Sequence, residues 1–272
     1  MTDPDLLALA ADLAEAAGRV LLEHFPAGGP SRLVTDSISS KSTLTDLVTE
    51  ADRASERLIV GRLASERPDD GVLAEEGTAS HGRSGLTWVI DPLDGTINFV
   101  YGFPVFAVSI ACQDSEGSRV AVVHDPLRPE TFTAIRGGGA ERNGKSLALG
   151  PGPELGEALI GTGFSYAAER RREQAALLTS VLPRVRDVRR AGAAALDLCW
   201  VATGRLDGHY EAGLAPWDMA GGSLVCTEAG ATVEQIDGLL ATEPGLPTLV
   251  AAAPGLGPAL RALLEEAAAG PE

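Results

Sequence analysis

Gly150-Pro151-Gly152-Pro153 divides the chain into two stretches of different hydrophobic patterning, and any fold has to accommodate both. Four consecutive breakers leave no regular element running through this point. Before it, Leu6, Leu9, Ala10, Leu13, Ala17, Val20 and Leu21 recur at helical spacing, which predicts a helix over 4–25 ended by Pro26 and the Gly28-Gly29-Pro30 turn. A second helix is expected over about 52–66, with Leu58, Ile59 and Leu63 inward. Short β-rich segments follow at 71–74, 87–90, 105–112, 120–124, 131–135 and 146–149. Beyond the breaker, strands at 158–161, 185–188, 206–210 and 248–252 alternate with helices at 170–182, 193–203, 217–228 and 257–268. An α+β first half, residues 1–150, and an α/β second half, residues 151–272, follow from this pattern. They form one large unit or two closely packed domains.

Charge narrows the partners. The formal net charge of −16 repels nucleic acid and anionic membrane, so neither is expected to bind. The same acidity would repel a phosphorylated small molecule unless bound divalent cations reverse the local potential. Cys112, Cys199 and Cys226 lie far apart with no CxxC or Cys/His spacing, which disfavours zinc and disulfides and leaves them as small core residues. The acidic N-terminus does not resemble a signal peptide, and the strongest apolar stretch, 105–112, is far short of the ~20 residues that span a bilayer. A cytoplasmic location is the resulting expectation. Seven arginines between Arg170 and Arg190 are interspersed with Glu173 and Asp187, and a solvated face or subunit contact is preferred over an anion-binding patch.

Chemistry concentrates at Trp88-Val89-Ile90-Asp91-Pro92-Leu93-Asp94-Gly95-Thr96, where an apolar strand runs directly into two carboxylates three residues apart. Pro92 stiffens the turn between them, and Gly95 lets the backbone approach a ligand closely. The residues after Gly95 are expected to open a helix beside a bound anion. Glu75 and Glu76 end another predicted strand and can converge on the same sheet edge. Asp218 begins a helix, where taken alone it reads as an N-terminal cap. An all-oxygen donor set selects a hard cation, with Mg²⁺ ahead of Ca²⁺ for phosphate chemistry. Two such ions would polarise phosphoryl oxygens and ionise a water as nucleophile.

Asp91–Thr96 with Ile97-Asn98-Phe99, the Glu75-Glu76 pair, Asp46-Leu47-Val48-Thr49 with Asp52, and Trp217-Asp218 together resemble the inositol monophosphatase family. Gly192–Leu198 and Gly204–Gly208 resemble it as well, so the likeness extends from about residue 5 to 265. The resemblance implies a layered αβαβα sandwich of the inositol monophosphatase and fructose-1,6-bisphosphatase type. Residues 1–150 would carry most metal ligands, and 151–272 would carry Asp218 and the recognition residues. It implies metal ligation by Glu75, Asp91, the Leu93 carbonyl, Asp94 and Asp218, with two or three Mg²⁺ per site. Thr96 and Glu75 would orient the attacking water, and Asp52 would act in the supporting network. Asp94, Gly95, Thr96 and Asp218 would contact the substrate, the phosphate resting on the backbone at Gly95 and Thr96. Glu211 would accept sugar hydroxyls beside the loop Gly192, Ala193 and Ala194. Lys41 matches a lysine near the site mouth, or is simply a surface residue. A homodimer and inhibition by lithium are further implications.

The Asp-x-x-Asp spacing departs from the Asp-x-Asp-Gly-Thr of phosphatases that form a phosphoaspartate, and the partner lysine of that class is not evident among only two lysines. Direct attack by a metal-activated water is therefore expected. Glu211 tilts the substrate toward a small polyol phosphate, with inositol-1-phosphate first. Histidinol phosphate, a sugar bisphosphate or a nucleoside phosphate are the alternatives. A non-enzymatic interaction protein is the competing class, disfavoured because every expected carboxylate position is filled.

Overall fold

The computed structural model describes residues 2–25, 39–40, 47–48, 50–241 and 245–269. Lys41, Asp46, Thr49, Pro26 and the Gly28-Gly29-Pro30 turn lie outside the described residues. Helix α1 (Asp3–His24) is followed by a short antiparallel pair, β1 (Ser39–Ser40) and β2 (Leu47–Val48), and by α2 (Glu50–Glu66). The first large sheet is built from β3 (Gly71–Ala74), β4 (Ala79–Ser80) and β5 (Thr87–Asp94). After the short helix α3 (Thr96–Val100), it continues with β6 (Ala107–Asp114), β7 (Gly117–Asp125), β8 (Glu130–Ile135), β9 (Gly139–Arg142) and β10 (Lys145–Leu147). Its eight strands run in the order β10-β9-β8-β7-β6-β5-β3-β4, antiparallel except where β3 lies parallel to β5.

The second half begins with β11 (Leu159–Thr162), α4 (Ala168–Val181), β12 (Asp187–Arg189) and α5 (Ala194–Ala202). It ends with β13 (Gly208–Ala212), α6 (Pro216–Glu228), β14 (Thr232–Ile236), β15 (Thr248–Ala252) and α7 (Gly257–Ala269). These strands form a five-stranded mixed sheet in the order β12-β11-β13-β15-β14. The predicted elements are present with their ends moved by a few residues. Five strands have no counterpart in the sequence pattern: β1, β2, β4, β9 and β14 are short or largely polar and give no run of apolar alternation.

Side-chain alternation along the strands sorts the core into three layers. On one face of the first sheet, Trp88, Ile90, Ile110 and Val122 pack under α1 and α2. On its other face, Val89, Ala111, Ala121 and Val123 meet α5 and α6, which also cover Leu249 and Ala251 of the second sheet. The outer face of that second sheet, with Ile160, Tyr210 and Val250, lies under α4 and α7. The result is the αβαβα sandwich. Helices held between two sheets are apolar all round and keep small residues where backbones approach. A Cβ on Gly221 of α6 would stand 2.5 Å from Ser109 Oγ on β6, and one on Gly222 would stand 2.7 Å from Leu198 Cβ on α5.

Candidate active site

Strict alternation would send Asp91 and Asp94, three residues apart, to opposite faces of β5. The register prevents this. Asp91 pairs with Ser109 and Asp94 with Ala107, so β5 holds one residue more than β6 across this span. That β-bulge turns Leu93 down into the layer of Trp88 and Ile90 and brings both carboxylates to the α5/α6 side. The parallel register of β3, with Ala74 opposite Ile90, then sets Glu75 beside Asp91, and the Glu75 N–H donates to the Ile90 carbonyl at 3.2 Å.

Hydrogen bonds hold the bulge from several directions. Ser55 Oγ on α2 donates to the Pro92 carbonyl at 2.8 Å, and the Leu93 N–H donates to Asp91 Oδ1 at 3.0 Å. Thr96 Oγ1 donates to the Leu93 carbonyl at 3.1 Å. Gly95 has φ +93°, and a Cβ there would stand 2.9 Å from the Val105 carbonyl. Only glycine takes this position without strain. The expected helix after it exists, as the five residues of α3. Asn98 in α3 donates to the carbonyls of Val105 at 2.8 Å and Ala191 at 2.9 Å, joining the bulge to the second half of the chain.

The second half meets the first through its helix starts. The Ala194 and Ala195 N–H groups donate to the Asp94 carboxylate at 3.1 and 2.8 Å, so α5 is capped by a residue a hundred positions away. Helix α6 presents Asp218 in its first turn, one turn before Gly221 packs on β6. Asp218 is the third residue of the helix and not its N-cap, which is Ala215; the Ala215 N–H donates to Asp218 Oδ2 at 2.7 Å. Glu211 arrives on β13, and Gly163 lies so close that a Cβ there would overlap its carboxylate.

These pieces line one cavity of about 520 Å³. Glu75, Asp91, Leu93, Asp94, Gly95 and Thr96 enter from the first half, and Gly192, Ala194, Glu211 and Asp218 from the second. Ala193 is buried behind the lining, and Asp52 is wholly buried beneath it, acting on Asp91 through its charge. Two residues read from sequence as part of a solvated face, Arg170 and Arg190, also line the cavity. Their signal was positive charge in an acidic chain, and for Arg190 its place two residues before Gly192.

Burial pushes the Asp91 carboxyl well above the carboxylate range, reinforced by Glu75, Asp94, Asp218 and Asp52. Burial does the same to Asp94, reinforced by Asp218, while the Ala195 N–H opposes it. No three of the described His, Cys, Asp and Glu side chains gather closely enough to ligate one ion in this arrangement. Asp91, Asp94 and Asp218 instead accept backbone N–H groups. Their chemistry still fits a hard divalent cation, since all donors are oxygens and a cation would relieve their mutual repulsion.

A layered αβαβα sandwich with acids converging between its sheets is the architecture of a known family of enzymes. The chain matches the inositol monophosphatase family over residues 4–269. It is 46% identical over 238 residues to the inositol-1-monophosphatase of Mycobacterium leprae, covering 84% of this chain and 81% of the relative. It is 44% identical over 195 residues to the Nus factor SuhB of Vibrio cholerae, covering 71% and 73%. The solved structure of Mycobacterium tuberculosis SuhB superposes with a TM-score of 0.80 at 40% identity, covering 97% of both chains. The chain belongs to the inositol monophosphatase family and is a phosphatase. No helix among the described residues is long and apolar enough to cross a membrane.

Proposed function

We propose that the chain is a cytoplasmic, homodimeric Mg²⁺-dependent phosphomonoester hydrolase for a small polyol phosphate, inositol-1-phosphate first among them. The observation that carries this reading is the single cavity shared by Glu75, Asp91, Asp94, Asp218 and Glu211. The name of the M. leprae relative supports the substrate. Residues 1–150 would supply most metal ligands and 151–272 the recognition surface.

Glu75, Asp91, the Leu93 carbonyl, Asp94 and Asp218 would hold two or three Mg²⁺. When bound, Mg²⁺ supplies positive charge that polarises phosphoryl oxygens and lowers the pKa of water. The chain's own groups do the rest. Thr96 Oγ1, already directed toward the Leu93 carbonyl, orients the attacking water together with Glu75, which accepts its proton. Asp52, buried below the cluster, adds its negative charge to the repulsion on Asp91, which a bound cation would relieve. The backbone at Gly95 and Thr96 receives the phosphate, with Asp94 and Asp218 beside it. Arg170 and Arg190 offset the acidic potential at the cavity wall. Glu211 and the loop Gly192, Ala193 and Ala194 read the hydroxyls.

The name Nus factor borne by the V. cholerae relative favours a second role alongside hydrolysis, as a binding protein. A net charge of −16 turns such a role toward a protein partner rather than toward nucleic acid. The hydrolase reading is tested by phosphate release with Mg²⁺ from inositol-1-phosphate, histidinol phosphate, fructose-1,6-bisphosphate and adenosine monophosphate. Inositol-1-phosphate should lead, and Asp91→Asn and Thr96→Ala should each abolish turnover while the fold is retained. Activity surviving both substitutions would overturn it.

A further inference from the structure

We propose that His209 is a positioning residue, which links buried Asp197 to Glu211 and so fixes the carboxylate that reads the substrate's hydroxyls. The inference rests on the polyol reading of Glu211 given above. Three features of the second sheet carry it.

The first is alternation. His209 and Glu211 stand two residues apart on β13, so both face the α5/α6 layer, while Tyr210 between them packs outward with Ile160 and Val250. The second is the space cleared for them. On the parallel neighbour β11, Gly161 lies opposite His209 in register, and Gly163 follows just past the strand end. A Cβ on Gly161 would stand 2.8 Å from His209 Nδ1, and one on Gly163 would overlap the Glu211 carboxylate. Any side chain at either position would displace one member of the pair.

The third is the chain of groups itself. Asp197, in the first turn of α5, places Oδ2 4.0 Å from His209 Nδ1, and His209 Nε2 lies 3.5 Å from Glu211 Oε2. His209 is fully buried and Asp197 1% exposed, whereas the Glu211 side chain keeps 17% exposure at the cavity. Neither ring nitrogen of His209 and neither oxygen of Asp197 has a hydrogen-bond partner among the described residues. The carboxylates on either side of the buried ring favour its protonated form. Burial works against that form, but the contact with Glu211 and the charge of Asp197 outweigh it and hold the ring above its ordinary range. Burial pushes Asp197 up to about 7, against the pull of His209. Glu211, which raises it further, and Arg190, which lowers it, are the other charged groups acting on Asp197. The same α5 start that carries Asp197 is tied to Asp94 through Ala194 and Ala195. His209 thus sets Glu211 in a fixed place relative to the catalytic end of β5, without touching substrate.

The test compares kcat/KM for inositol-1-phosphate with that for p-nitrophenyl phosphate, which lacks the hydroxyls Glu211 would read. His209→Phe keeps the ring's bulk but has no N–H, and should lower this ratio about tenfold, mainly through KM for inositol-1-phosphate. His209→Gln, which restores a donor, should recover most of it. An unchanged ratio in folded His209→Phe would overturn the proposal. Glu211→Gln tells the positioning role of His209 from the polyol reading: if it leaves the ratio unchanged, the polyol reading itself fails. A readout that keeps His209 in place is its titration by nuclear magnetic resonance. The His209 pKa should fall in Glu211→Gln, and an unmoved pKa would equally refute the link.

Discussion

Two strand ends bring acids into the cavity under opposite conditions. At the end of β5, Asp91 and Asp94 sit among other carboxylates, and burial together with those neighbours raises the pKa of both. At the end of β13, Glu211 has an imidazole at 3.5 Å, backed by a second carboxylate from α5. One cluster calls for a cation from solution, and the other finds its compensation within the chain. The difference teaches which acids are matched to a metal and which to an organic ligand: a carboxylate surrounded by its own kind is poised for ligation. One balanced by a histidine is held in place to accept hydrogen bonds.

The largest expected effect tests the β5 side. Asp94→Asn should lower kcat by roughly 10³-fold in Mg²⁺. Glu211→Gln should instead leave kcat within a few fold and raise KM for inositol-1-phosphate. Equal kcat losses in steady-state assays of the two variants would erase the distinction.

A smaller effect appears in stability without metal. The raised Asp91 pKa means that its ionised form is disfavoured in the folded state. Stability of the chelated protein should therefore fall as pH rises from the ordinary carboxylate range toward the raised folded value, and recover on adding Mg²⁺. Asp91→Asn should flatten that slope and raise the Tm of the chelated protein by about 2–4 °C. Glu211→Gln should not raise it, because His209 would lose a partner. Thermal melts in chelator at pH 5 and pH 8 check both.

The smallest effect concerns the bulge. Ser55→Ala leaves the Pro92 carbonyl without its buried donor and should destabilise by about 1 kcal/mol, measured by urea unfolding. On the β13 side, Gly161 and Gly163 instead make room for the His209 and Glu211 side chains.

Much of the β5 side is legible in the sequence, because the apolar run, the two acids, the proline and the glycine are contiguous. What Asp-x-x-Asp does not disclose is that both acids share a face. That depends on the pairing of β5 with β6, which a strand's own alternation contradicts. Glu75 is legible as a strand end, but its place beside Asp91 comes from the β3–β5 register. The β13 side is legible only by family resemblance. Gly163 and Glu211 are nearly fifty residues apart, and no local pattern reports that one makes room for the other. His209 and Asp197 drew no functional reading, since a lone histidine in a strand and an acid in a helix have ordinary structural explanations. Arg170 and Arg190 read as surface for the same reason, and only the tertiary fold turns them toward the cavity.

The middle layer has a consequence for how the molecule melts. Helices α5 and α6 belong by sequence to residues beyond Gly150, yet they cover Val89, Ala111 and Ala121 of the first sheet as fully as Leu249 and Ala251 of the second. A fragment ending at Gly150 would keep its α1/α2 layer and present the other face of eight strands bare to water. The glycine-proline border is thus one of topology and not of cooperativity. The sandwich is expected to unfold in one transition, and any force that parts the halves opens the cavity and the core together.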